Sequence, residues 1–385
     1  MSKRDHVLVL SPFFSPNRGG VETNLESQIA QMNARGIPGT LLTFQPLAAG
    51  VSGPERERRG IVDVIRIGRP FGRTWTEEAA FGQTFYLVPV FTMRAIRWMA
   101  WNGRRVRVIH AHGFMAGVVA RAVSAIFGVP YVISTHTRLE NYVGRGQSSA
   151  ASRVMQRVLL DADSVLVNTN DMRDELIPLG IPADNIVTHV QWNEDRFLLG
   201  QDDDLTDPGG RLRVVFVGRL IHGKGAQCLV DAAARLPNVD VTIIGDGPMM
   251  DDLRARATPN VGLLGALPPD ATPPHYRDAH VCVVPSLYPD AYPRVVTEAI
   301  GSGTPVLAVK RGGIPEAMDE TVGWWLHQTE EAALSDEIAG ALEAINADRG
   351  GLWARTQACV PFADQHYSPR NFDRTVASYD RAAPA

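Results

Sequence analysis

Cysteine is scarce in this sequence. There are three in 385 residues, Cys228, Cys282 and Cys359, far apart along the chain. That spacing argues against a disulfide framework or a structural zinc site and fits reduced thiols in a cytoplasmic protein. No uninterrupted apolar run approaches the ~18 residues of a membrane-spanning helix. The start, MSKRDHVLVLSPF, is basic, but its apolar run is too short for a signal peptide, and VLVLSPFF reads as a buried strand. GxSxG is absent, which removes the nucleophile elbow of serine hydrolases. GxxxxGK followed by Ser or Thr is absent, which removes the P-loop, and GxGxxG is never complete, which removes the dinucleotide fingerprint. The net charge of −4 and the lack of any RNA- or DNA-binding motif leave no nucleic-acid reading.

What is present is alternation. Strand-like and helix-like patterns follow one another almost throughout, which points to an α/β fold with mostly parallel sheets. A strand at 6–10 leads to a loop with Pro16, Gly19 and Gly20, and then to a helix from Val21 to Ala34 ended by Gly36. Strands follow at 38–43 and 61–67, with a charged, loop-like stretch at 46–60 between them. Residues 81–101 read as one or two helices. Further strands end at His112 and His136. The segment Gly200 to Gly210, GQDDDLTDPGG, is acidic and rich in turn formers, and reads as a linker. The pattern then restarts with RLRVVFVG, and helices at about 330–347 and 370–379 close the chain. The expected organisation is two doubly wound, Rossmann-like domains, 1–200 and 211–369, with the helix at 370–385 packing back onto the first. Ligands bind such sheets at the strand C-terminal ends, so two facing halves would enclose a deep cleft.

Charge is uneven. Residues 1–110 carry 15 Lys and Arg against 8 Asp and Glu. A basic first part suggests an anionic partner there; chance clustering on a solvated surface is the competing reading.

The chemistry concentrates in Pro285 to Glu316, PSLYPDAYPRVVTEAIGSGTPVLAVKRGGIPE. A strand runs into a Pro/Tyr/Asp loop, then into a helix starting near Arg294. Free amides at a helix start suit an anion. Asp290 and Glu298, eight positions apart, can accept hydrogen bonds from hydroxyls, which suits a sugar or a ribose. In VFVGRLIHGKG, Arg219 and Lys224 stand on a glycine-rich turn and suit a diphosphate; a solvated basic loop is the bland alternative. Gly19 and Gly20 allow close backbone approach to a phosphate or make an ordinary tight turn. Gly245-Asp246-Gly247-Pro248 reads as structural or as a second wall of a nucleotide pocket. His110, His112 and His136 end strands without a metal-ligand spacing.

Taken together, GGVE, HAHG, STHT, VGRL with KG after it, IGDGP, PS before the two acids, GTPV and GGIPE resemble the retaining GT-B-fold glycosyltransferases. These form the large family that includes sucrose synthases and bacterial mannosyl- and glucosyltransferases. The resemblance covers nearly the whole chain. It implies transfer of a sugar from a UDP- or GDP-sugar to a hydroxyl-bearing acceptor, with retention and with no metal or other cofactor. It implies that Gly19, Gly20, Arg219, Lys224 and the amides of Arg294 and Val295 hold the donor diphosphate. His112, Arg219 and Lys224 would be the catalytic set. Asp290, Ala291, Tyr292 and His112 would hold the donor sugar, Glu298 the ribose, and Gly265 and Ala266 would face the base. Glu22 and His136 lie on the acceptor side.

Two departures stand out. Asp290 replaces the usual Glu, and Pro293 occupies a usual glycine position and lacks an N–H. A sugar-nucleotide epimerase is the second reading; it needs an acid/base set that no pattern demands. The third, motivated by Asp290 and Pro293, is a non-catalytic sugar-nucleotide-binding protein. The segment Met93 to Arg107, rich in Arg, Trp and Met, suits peripheral contact with an anionic membrane, against a packed helix with its arginines in water. Nothing in the sequence sets an oligomeric state.

Overall fold

The computed structural model describes residues 5–17, 20–46, 51–68, 84–136, 150–189, 191–200, 205, 209–290 and 292–383. The chain divides into two compact units, Met1–Gln191 with Arg370–Ala385, and Trp192–Pro369.

The first unit is built on an eight-stranded sheet. Its strands are β1 (His6–Leu10), β2 (Gly39–Phe44), β3 (Arg56–Arg59), β4 (Val62–Ile67), β5 (Val106–His112), β6 (Tyr131–Ser134), β7 (Ser164–Val167) and β8 (Ile186–Thr188). They lie in the order β3-β4-β2-β1-β5-β6-β7-β8. All pairs are parallel except β3 with β4. Every residue of β1, HVLVL, is buried, because a parallel sheet covered by helices has no wet face. The order reverses between β1 and β5. That switch point opens a crevice at the strand C-terminal ends, between the loop after Leu10 and the one at His112.

The helix Phe372–Ala382 belongs to this unit. Arg35 pairs with Asp373 at 2.8 Å and Arg107 with Asp380 at 2.7 Å. Arg374 donates to the Thr188 carbonyl at 2.9 Å, and Tyr379 reaches His110 at 2.7 Å.

The second unit holds a six-stranded, all-parallel sheet: β9 (Leu212–Val217), β10 (Val239–Ile244), β11 (Val261–Gly265), β12 (Val281–Val284), β13 (Val306–Val309) and β14 (Gly323–Leu326). The order β11-β10-β9-β12-β13-β14 is the doubly wound one, with its switch point between β9 and β12. The core packs β9, β10 and β12 against the helices Ala226–Ala233 and Glu331–Ala347.

The structure differs from the sequence reading in three places. The charged stretch at 46–60 contains β3, an edge strand of alternating exposure, RERR, whose polar side chains hide its strand character. The helix Arg349–His366 was missed, since Gly350, Gly351 and Pro361 break its pattern. Its start is capped by Asp348, which accepts from Gly351 N at 2.9 Å. The second unit also begins at Trp192, ahead of the acidic linker. The side-chain amide of Asn193 donates to the Thr297 carbonyl at 2.5 Å, Thr297 Oγ1 donates to Asn193 Oδ1 at 2.7 Å, and Phe197 packs edge-on against Tyr276. These contacts tie residues 192–199 to the helix Arg294–Gly301 and its neighbours.

Candidate functional site

The site of the second unit is assembled by two loops leaving the switch-point strands. After β9, Gly218 to Gly225 form a turn supported from behind by Gly245 and Gly247. Leu220 N donates to Asp246 O at 2.8 Å, and a Cβ on Gly245 would lie 1.8 Å from Gly218 O. Gly245-Asp246-Gly247 is thus a backbone support for the Arg219 turn. After β12 comes the loop from Pro285. Gly225 is left-handed at φ +73°, and a Cβ there would lie 1.9 Å from Pro285 O, so only glycine lets the two loops meet. Leu287 N donates to Gly223 O at 2.9 Å across the same junction.

On this frame the two cations differ. The Arg219 side chain is exposed and has no ion-pair partner among the described residues. Lys224 Nζ lies 2.6 Å from Asp290 Oδ1, and both side chains are mostly buried. Ser286 Oγ donates to the other Asp290 oxygen at 2.9 Å, and Lys224 also sits 5.0 Å from the Tyr288 ring centre. Asp290 is pinned through its backbone, its carbonyl accepting from Gly313 N at 2.7 Å.

The helix Arg294–Gly301 starts after Pro293. The amides of Arg294 and Val295 lie in its first turn, where no intrahelical acceptor exists. Glu298 is one turn on. It accepts from Tyr276 Oη at 3.2 Å and pairs with Arg294 Nε at 3.4 Å. Arg294 also pairs with Glu194 at 3.3 Å, and Glu194 with Arg196. Burial, with Glu298 beside it, raises the Tyr276 phenol far above its ordinary range, so the ring stays a donor. The Tyr292 hydroxyl is buried and without a partner among the described residues. Gly265 ends β11 at φ +77°, half-buried, and Ala266 beyond it is exposed. Ala291 lies outside the described residues.

In the first unit, Gly20 begins the helix Gly20–Ala34 and Glu22 is in its first turn; Gly19 lies outside the described residues. His112 is the last residue of β5 and precedes Gly113, left-handed at φ +78°. Its Nδ1 is 2.9 Å from His136 Nε2, and the rings stack at 5.1 Å. His112 Nε2 is buried and has no partner among the described residues. His110 Nδ1 meets Tyr379 Oη and Gln28, and its Nε2 meets Ser134 Oγ at 2.8 Å. Burial holds His110 and His112 well below their ordinary value and His136 and His189 at about 4, with mutual repulsion adding to it at His110, His112 and His189. The cluster is therefore neutral near pH 7. Among the described residues no group of three or more His, Cys, Asp or Glu is arranged to hold a metal ion.

Three site neighbours escape a reading of the sequence. Tyr276 precedes the strand HVCVV, Glu194 lies in an irregular segment with no motif of its own, and Ser286 looks like an ordinary turn residue.

Residues 19–190 match the Glycosyl transferase 4-like domain, and residues 211–344 match Glycosyl transferases group 1. A D-inositol 3-phosphate glycosyltransferase of Mycobacteroides abscessus is 30% identical over 301 residues, which cover 71% of this chain and 66% of that protein. Its counterpart in Corynebacterium kroppenstedtii is 28% identical over 262 residues, 60% of this chain and 58% of that one. The chain thus spans about two thirds of these relatives' length or less. Among solved structures, a sucrose-phosphate synthase of Thermosynechococcus elongatus superposes with a TM-score of 0.77 at 20% identity, covering 98% of both chains. Anabaena HepE in complex with UDP and glucose gives 0.72 at 20% identity, covering 96% of this chain and 98% of that one. Two parallel-sheet α/β domains of this kind are the GT-B fold.

Proposed function

The chain belongs to the glycosyltransferases that join a glycosyl transferase 4-like domain to a group 1 domain, and we propose that it moves a sugar from a UDP- or GDP-sugar to a hydroxyl of an acceptor, with retention and without a metal. One observation carries the donor side: an exposed Arg219, without an ion pair among the described residues, and the first turn of the helix at Arg294 lie at the C-terminal ends of β9 and β12. Free cation and free amides at a switch point suit a diphosphate.

In this reading Arg219 and Lys224 stabilise the negative charge that grows on the departing nucleoside diphosphate, as do the Arg294 and Val295 amides. Such stabilisation of developing charge supplies much of the catalysis. Glu298 accepts the ribose hydroxyls, held in place by Tyr276 and Arg294. Asp290 and the amides of Ala291 and Tyr292 take hydroxyls of the donor sugar, and Gly265 and Ala266 border the base. From the first unit, His112 Nε2 offers the sugar one polar atom, and Gly19 and Gly20 offer backbone to the diphosphate. Asp290 and Glu298 act as binding groups here; the reading requires no hydrolase-type acid and base flanking the scissile bond.

The first unit takes the acceptor, with Glu22 and His136 on that side. The relatives' names favour a small polyol or its phosphate, which the basic first part suits. Residues 79–139 contain seven arginines and neither Asp nor Glu. Arg94, Arg97, Arg104 and Arg105 are exposed, without an ion pair among the described residues, beside Met93 and an 86% exposed Trp101. This supports peripheral contact with an anionic membrane through Met93 to Arg107, a contact a lipid-linked acceptor would use, and in this reading the enzyme is cytoplasmic. No helix among the described residues is long and apolar enough to cross a membrane.

A thermal-shift panel of UDP-, GDP-, ADP- and dTDP-sugars tests the donor side. One clear stabiliser is expected, and no shift from any of them removes the reading. Product analysis with inositol 3-phosphate then tests the acceptor class; an isomerised nucleotide sugar formed without acceptor would favour an epimerase.

A further inference from the structure

Lys224 does not stand free. Its ammonium is held at 2.6 Å by Asp290, whose second oxygen is held at 2.9 Å by Ser286. The cation assigned to the diphosphate is thus neutralised by the carboxylate assigned to the sugar. We propose that this pair is an internal competitor for the diphosphate: the site takes a nucleotide together with its sugar and disfavours the nucleotide alone. The inference rests on the donor reading above and deepens it.

Which partner moves follows from the geometry. The Asp290 backbone is fixed by Gly313 N at 2.7 Å, and a Cβ on Gly312 would already lie 2.5 Å from Asp290 O. Its side chain is short and tied at both oxygens. The Lys224 stem is long and flexible, and its other neighbour is the Tyr288 ring face at 5.0 Å. Lys224 therefore swings to a phosphate while Asp290 stays.

The swing leaves Asp290 with Ser286 alone, in a side chain only 12% exposed. An enclosed carboxylate stripped of its counter-charge is unfavourable. Hydroxyls of a donor sugar offset this by donating to the vacated oxygen. A nucleoside diphosphate brings no hydroxyl to that position, so Lys224 stays with Asp290 and only Arg219 is available. Once the sugar has been transferred, Asp290 recaptures Lys224 and the diphosphate loses a cation. The pair thus favours product release.

Isothermal titration of the full chain with UDP, GDP or ADP, whichever binds the wild type, tests this. Asp290→Asn keeps the shape and removes the competing charge. It should bind the nucleoside diphosphate about tenfold more tightly, the size of one charge-assisted hydrogen bond. Adding Lys224→Met to Asp290→Asn should abolish that gain. Should Asp290→Asn not fold, Ser286→Ala gives the opposite sign: Asp290 then leans on Lys224 alone, and the diphosphate binds more weakly. Unchanged or weaker binding by a folded Asp290→Asn overturns the proposal, as does unchanged or tighter binding by Ser286→Ala. A wild type that binds none of the three nucleotides instead removes the donor reading, and this inference with it.

Discussion

Tyr276 donates its phenolic hydrogen to Glu298 across 3.2 Å, from a ring with no exposed surface. Its own backbone carbonyl accepts from Thr304 Oγ1 at 2.6 Å, so the ring is fixed from below. The carboxylate therefore has a set orientation before any ligand arrives, with Arg294 on its other oxygen. Tyr276→Phe keeps the packing and removes the one hydrogen bond. It should cost about 1–2 kcal/mol of stability. If Glu298 holds the ribose, the donor KM should rise about three- to tenfold with kcat nearly unchanged, because ribose contacts are made equally in ground and transition states. A fall in kcat at constant KM would place Glu298 elsewhere in the reaction.

Arg219 gives the cleanest separation of function from stability. It is exposed and pairs with nothing among the described residues. Arg219→Ala should leave the unfolding free energy within about 0.5 kcal/mol of wild type. The same change should lower kcat about a hundredfold or more if its charge meets the leaving diphosphate. Chemical denaturation and steady-state transfer on one preparation read both quantities. Retained activity would take Arg219 out of the reaction.

Acid should loosen the first unit in a defined window. Burial holds His136 and His189 at about 4 and His110 and His112 well below their ordinary value. His6, buried against Thr40 with Arg105 nearby, is also at about 4. Unfolded histidine titrates near 6.5. Above that pH neither state binds these protons and the cluster adds no pH dependence. Between about 6.5 and 4 the unfolded chain takes up protons that the folded chain refuses, so stability falls as pH falls. Arg374 faces His189 and repels its charged form further. The unfolding midpoint should drop from pH 7 to 4.5. His136→Gln and His189→Gln should each flatten that slope. An unaltered slope in both would assign the acid sensitivity to groups outside the cluster.

How much of this was legible follows from what each residue type announces. The strands of both switch points were readable because fully buried parallel strands are unbroken apolar runs, HVLVL and RVVFVG. Glycine turns marked the loops because backbone meets backbone there, as Gly225 meets Pro285. Arg219, Lys224, Asp290 and Glu298 were legible as types. Their partnerships were not. That Lys224 spends its charge on Asp290 depends on two loops from strands 69 residues apart in their starts being stitched together, which no local pattern encodes. Tyr276 was invisible for a similar reason: a tyrosine before a buried strand looks like core, and its hydroxyl matters only once the helix Arg294–Gly301 lies against it.

The last prediction concerns the acid-free stretch. Arg94, Arg97, Arg104 and Arg105 face solvent without carboxylate partners among the described residues, and Trp101 and Met93 project beside them. Arginines near an anionic bilayer each gain about 1 kcal/mol from its surface potential, an attraction that salt screens within a Debye length. An aromatic and a thioether at the same level would enter the headgroup region. Flotation with vesicles containing phosphatidylglycerol should therefore carry the protein at low salt, and less of it at high salt. Neutral vesicles should carry little. Arg94→Glu with Arg97→Glu should abolish the binding while leaving the fold intact, since both side chains are exposed. Trp101→Ala should weaken it even at low salt, because the loss there is apolar insertion rather than charge. Failure to float with anionic vesicles at low salt would leave these arginines as ordinary solvated charges on a packed helix.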